Sequence, residues 1–174
     1  MQGGWTRDDD GRQLDYTVGY FERGRLNGVR SYATVGLSRR HLVHGPSGRG
    51  AHEELLLCAY PREGHTPYPQ ILQTVANHLL ETGSAMRRGD IFPFRQYLVP
   101  GSRMCAFYAA NPVYFDEAFF SVELENATTA VMIWLVPVGQ AEAELVMDRG
   151  WQEFEKLLVD RDPDVLDLGR DEIC

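Results

Sequence analysis

Lysine is almost missing from this chain. Of seventeen basic residues sixteen are arginine and only Lys156 is lysine, a coding bias of the source that carries no mechanism. Cysteine is scarce too: Cys58, Cys105 and Cys174 are odd in number, widely spaced and form no CxxC pair. The first residues, MQGGWTRDDDGRQ, contain no apolar segment of the secretory kind. Together these features point to a reducing cytoplasm. The longest apolar run, Ala130 to Val138, has nine residues and is too short to cross a bilayer.

The strong catalytic signatures are missing as well. There is no G-x-x-x-x-G-K-[ST] phosphate loop, no HExxH helix, and no GxSxG or SxxK serine signature. The Gly-Pro-Ser-Gly-Arg-Gly stretch at 45–50 does not stand between a strand and a helix in the order that phosphate binding needs.

What remains is a chain of 174 residues, 44% hydrophobic and 24% charged, at the globular average. At this length roughly 68–70% of the unfolded surface can be buried, so one core suffices without staples. The charge is uneven. Residues 1–87 carry ten Arg against nine acidic residues, and 88–174 carry seven basic against sixteen acidic, a balance of +1 against −9. From Asp116 onward fifteen acidic residues face only Arg149, Lys156, Arg161 and Arg170, a local net of −11. Such a field disfavours nucleic acid and anionic membranes and favours a basic partner, or serves solubility alone.

Residues 1–13 are polar and are expected to form a frayed tail, with a single domain over 14–174. Leu14, Tyr16, Val18 and Tyr20 alternate as in a half-buried strand. A turn-rich stretch over Glu22 to Gly28 leads to a second strand within Ser31–Leu37. Residues 39–51 are basic and Gly-rich, so they predict a surface loop; Glu54–Tyr60 predicts a buried strand, and PREGHTPYP a turn. Ile71, Leu72, Val75, Leu79 and Leu80 recur at helical spacing between Pro69 and Gly83. Strands are expected at Tyr97–Val99, Met104–Tyr108, Phe119–Leu124 and Ala130–Val138, the last covered on both faces. Two helices close the chain, Gly139 to Asp148 and one from Trp151 that Pro163 stops, with Gly150 between them. The fold class is α+β, a mostly antiparallel or mixed sheet with one central helix and two C-terminal helices.

The remaining candidate chemistry is thin. His41, His44, His52, Glu53 and Glu54 lack metal-ligand spacing, so no metal and no cofactor is assigned. Cys58 and Cys105 lie in apolar runs, where a thiol is inert. The neighbours Asp116 and Glu117, like Asp171 and Glu172, do not share a face and make no natural acid/base dyad. This favours a binding protein over an enzyme.

Six stretches in fixed order, TVGLS (34–38), HEELLLCA (52–59), GDIFP (89–93), WLVPV (134–138), EAELVMDRGWQEFEKLL (142–158) and DPDVLDLGR (162–170), resemble a bacterial member of the Suppressor of fused domain family. The resemblance spans about residues 15–170. It implies a mixed α/β domain without a catalytic centre. Animal relatives pair this domain with a further region and hold Gli-type transcription factors, taking an extended peptide as an added strand. No position here matches their peptide contacts and the length leaves room for the domain alone, so that activity is not carried over. Bacterial relatives are associated with polymorphic toxin systems, which implies an immunity protein that neutralises a cognate, basic, nuclease-like toxin. On that reading Glu153, Asp160, Asp162, Asp164 and Asp167 border the partner surface, with Asp167 also suited to capping the turn between Leu166 and Leu168. The alternative is a small-molecule-binding protein or an enzyme of unrecognised chemistry.

Overall fold

The computed structural model describes residues 3–7, 10–22, 25–61, 67–124 and 128–174. Nine strands form one sheet: β1 (Gly3–Arg7), β2 (Gln13–Phe21), β3 (Arg30–Val35), β4 (Leu42–His44), β5 (Arg49–Ala59), β6 (Ile91–Pro93), β7 (Ala106–Ala110), β8 (Ser121–Glu123) and β9 (Thr129–Val138). Three helices accompany them: α1 (Tyr68–Thr82), α2 (Gln140–Arg149) and α3 (Trp151–Arg161). The spatial order is β1-β2-β3-β5-β9-β7-β6, with β4 beside β5 and β8 beside β9. Among the described strands only β5 and β9 run parallel. The expected α+β class, mixed sheet and three helices are all present.

The alternation of side chains along the central strands divides the core into two layers. Leu55, Leu57, Phe107, Ile133 and Leu135 face α1, packing on Tyr68, Ile71, Leu72, Val75 and Leu79. Leu56, Cys58, Tyr108, Trp134, Val136 and Val138 face the other way, onto Ala143 and Val146 of α2 and Phe154 of α3. This is why β9 reads as an unbroken apolar run: both of its faces are covered.

Helix ends follow local chemistry. Pro69 sits in the first turn of α1, and Gly83 closes it at φ 65° with its N–H on the Leu79 carbonyl. At α2 the Glu142 carboxylate accepts the Gly139 N–H at 2.9 Å, satisfying a free donor of the first turn. Asp162 ends α3 in the left-handed region at φ 44°, a conformation that Asp tolerates, and Pro163 prevents continuation.

Five expectations are corrected. Within the tail expected to fray, Gly3–Arg7 forms β1 and pairs antiparallel with β2. The stretch 39–51 is not simply a loop: β4 and the start of β5 form a hairpin there, with Gly45–Ser47 as its turn. Tyr97–Val99 is not a strand, although Leu98 and Val99 are buried, because apolar burial at a loop gives the same short signal. The strands near Met104–Tyr108 and Phe119–Leu124 are shifted or shortened, and β6, with Pro93 in it, carries too weak a pattern to be read. The turn expected over residues 61–69 lies largely outside the described residues.

Candidate functional site

The parallel ladder of β5 and β9 covers only 52–56 against 130–134. Beyond it β5 continues beside β3 and β9 beside β7, so the two strands part. The C-terminal tail runs through the opening. Tyr60, just after β5, donates its N–H to the Leu166 carbonyl, and Arg170 donates to the Pro137 carbonyl of β9 at 3.1 Å. Val165 and Leu166 join the core layer under α3 while Leu168 joins the layer under α1, so the tail crosses from one face of the sheet to the other.

The tail is held by a buried ion pair. Arg170 donates to both carboxylate oxygens of Glu142, at 2.6 and 2.9 Å, and both side chains are almost fully enclosed. The Ile173 N–H adds a further bond to Glu142 at 3.1 Å. With its lone pairs occupied in this way a buried carboxylate is tolerated; losing one partner is not.

Beside the tail, a cavity of about 360 Å³ opens between α3, β7, β9 and the loop after β7. Its wall includes Tyr108, Trp134, Val136 and Val165, with the more exposed Val113, Tyr114 and Val159 at the rim. On one side Glu155 accepts from Arg88 Nε at 2.8 Å and from the Tyr108 hydroxyl at 2.6 Å, and a second Arg88 nitrogen bonds its other oxygen. Burial pushes the Glu155 carboxyl up, but the Arg88 and Tyr108 bonds outweigh it and hold it below the usual range. Arg88 stacks on Trp151, 4.3 Å from the ring centroid. Gly89 makes room for that ring: at φ 100° a Cβ there would lie 2.6 Å from Trp151 Cδ1.

The five acidic residues singled out from the sequence are all solvent-exposed, in three settings. Glu153 and Asp160 project from α3, Glu153 paired with Lys156 at 2.6 Å. Asp162 lines the cavity mouth. Asp164 and Asp167 shape the tail, accepting the backbone N–H groups of Leu166 at 3.1 Å and Gly169 at 2.7 Å. The turn-capping role expected of Asp167 is therefore visible. The cavity residues Arg88, Tyr108 and Trp134 were not singled out, because an arginine after a helix and aromatics in apolar strands carry no signal of convergence.

The other candidates are occupied elsewhere. Glu54 accepts from Thr34, from the Gly36, Leu37 and Ser38 N–H groups and from the Ser38 hydroxyl, fixing the turn after β3. The His41 and His52 rings meet edge to face at 5.7 Å, and His52 Nδ1 lies 2.7 Å from the Ser38 carbonyl. Burial pushes the Cys58 thiol up to about 11 and raises Cys105 as well, so neither is an activated thiolate. Asp116 pairs with Arg25, Asp171 with Arg103 at 3.3 Å, and Glu172 accepts the Ala141 N–H at 2.9 Å. No helix among the described residues is long and apolar enough to cross a membrane.

Comparison with known proteins places this architecture. The family model described as Suppressor of fused protein matches residues 11–171. A SUFU homologue from Neisseria gonorrhoeae has a similar structure, with a TM-score of 0.74 at 16% identity over 99% of this chain and 86% of that one. A chain of a Sufu-Fu complex matches with a TM-score of 0.66 at 17% identity, over 91% of this chain and 76% of that one. Drosophila Suppressor of Fused matches with a TM-score of 0.67 at 16% identity over 91% of this chain, which spans 42% of that protein. No curated protein sequence matches the chain.

Proposed function

The chain belongs to the Suppressor of fused family, and from that premise we propose that it is a non-catalytic protein-binding module of the immunity type, acting in the cytoplasm on a basic, nuclease-like toxin domain. The observation that carries the reading is the acidic surface of the C-terminal third. Glu144, Asp148, Glu153, Asp160, Asp162, Asp164 and Asp167 are all exposed on α2, α3 and the tail. This face, on which Arg149, Lys156 and Arg161 are also exposed, keeps an acidic excess that imitates the phosphate backbone a nuclease cleft binds and accelerates encounter with a basic partner. The family likeness supports a protein partner, since one of the similar structures is a Sufu-Fu complex.

A small-molecule or catalytic reading draws support from the cavity beside α3. Three of its polar groups, Arg88, Tyr108 and Glu155, nevertheless bond one another instead of converging on its interior. That pairing favours a protein surface over a reaction centre.

The experiment is neutralisation. Co-expression with a basic toxin encoded beside its gene restores growth, and the purified pair binds with an association rate that falls steeply as salt rises. Toxin activity unchanged by an excess of this protein, or binding insensitive to salt, overturns the reading.

A further inference from the structure

The charges around the cavity beside α3 do not balance. Arg88 is neutralised by both oxygens of Glu155 and covers Trp151, so its charge is spent within the protein. Asp162, exposed at the end of α3, lines the same cavity and has no ion-pair partner among the described residues. Asp164 stands close by. Burial first, and then the charges of Asp164 and Asp162, raise the Tyr114 phenol, which places both carboxylates near that ring.

The wall is otherwise apolar and aromatic. Val113, Val136, Leu158 and Val159 contribute aliphatic surface, and the Tyr114 and Trp134 rings lie 5.1 Å apart. Trp134 is 4% exposed, yet its indole N–H has no acceptor among the described residues. That N–H is shielded from solvent, but the Trp134 ring lines the cavity and reports on an occupant.

From this combination of apolar and aromatic walls with an uncompensated carboxylate at the mouth, we propose that the cavity receives an arginine residue of the protein partner. The aliphatic stem lies along Val113 and Val159. The planar guanidinium stacks on Tyr114 and reaches Asp162. Lysine matches the charge but not the stacking, and an uncharged residue leaves Asp162 unpaired. The inference rests on the basic-partner reading above and names the anchor that such a partner inserts.

The test titrates the full chain with N-acetyl-arginine methylamide, its lysine analogue and its norleucine analogue, following the three tryptophan indole N–H signals by NMR. The arginine probe shifts Trp134 saturably, and the norleucine analogue binds about tenfold more weakly. Asp162→Asn weakens the arginine probe about fivefold, and Asn tolerates the left-handed backbone at that position. Val159 is 80% exposed, so Val159→Arg leaves the fold intact while placing an arginine at the rim that competes with the probe. Equal binding of the norleucine analogue, an arginine site elsewhere that leaves Trp134 unmoved, or unaltered affinity in Asp162→Asn overturns the inference. A toxin bound equally well by Val159→Arg overturns it while leaving the immunity reading intact. A probe that binds as expected when no basic toxin is neutralised does the reverse.

Discussion

Glu53 and Glu142 are both fully buried, on opposite faces of the sheet, and the protein treats them in opposite ways. Glu142, in the first turn of α2, is surrounded by donors: Arg170, the Gly139 N–H and the Ile173 N–H. Glu53 shares a face with Leu55 and Leu57 in the α1 layer, where among the described residues its carboxylate accepts only the Met86 N–H at 3.0 Å and leaves Oε2 without a partner. Burial pushes Glu53 up to about 7, and the charges of Asp90 and Glu54 add to the rise against the Met86 bond. The α1 face is a core that tolerates one acid by letting it become neutral. The opposite face surrounds its acid with donors, uses it to fasten the tail, and carries the cavity and the acidic surface.

The largest test of that contrast removes a partner on the α2/α3 face. Arg170→Ala strands the Glu142 charge and is expected to cost about 3–5 kcal/mol, read by urea unfolding. The matching change on the α1 face, Phe107→Ala, leaves a dry void at a fully enclosed ring and also costs about 3–5 kcal/mol. The two differ in pattern: restoring an apolar pair with Glu142→Leu and Arg170→Met recovers much of the first loss, whereas no charge change repairs the second.

Glu53 supplies the pH dependence. Its folded pKa lies above its unfolded value of 4.5, so between pH 4.5 and about 7 the native chain binds the extra proton. Its stabilising contribution is complete below that window and is lost as pH rises through it, a fall of about 3 kcal/mol. Glu53→Gln keeps an acceptor for Met86 and is expected to flatten this slope and stabilise the chain at pH 8. Unfolding curves at pH 5 and pH 8 that differ as much in the variant as in the parent refute this assignment.

Smaller still are the surface acids. Glu153→Gln and Asp160→Asn leave the urea unfolding midpoint essentially unchanged, because exposed charges and exposed pairs contribute little. Their effect is expected in the association rate with a basic partner, which falls at low salt and converges with the parent at high salt.

Much of this architecture is legible along the chain. The 3.6-residue spacing around Leu72 and Leu79 locates α1, and the unbroken AVMIWLVPV marks a strand covered on both sides. Gly150 between two helical patterns, with Pro163 after the second, sets the ends of α2 and α3. The weak stretches are those where short strands and buried loops look alike, as at β6 and Leu98. The site is less legible. Exposed acids can be counted, but Arg88 and Glu155 stand 67 positions apart, and their pairing has no local signature.

Glu142, Arg170, Arg88 and Trp134 mark the division. Periodicity, punctuation and charge distribution by themselves determined the class of fold, the helices and the acidic character of the C-terminal third, because each depends on neighbours along the chain. Only the tertiary structure decided that β5 and β9 part, that the tail passes between them, and that Asp162 stands at the mouth of a cavity. Those outcomes depend on long-range contacts in which a solvent-facing residue and a buried one can carry the same letter.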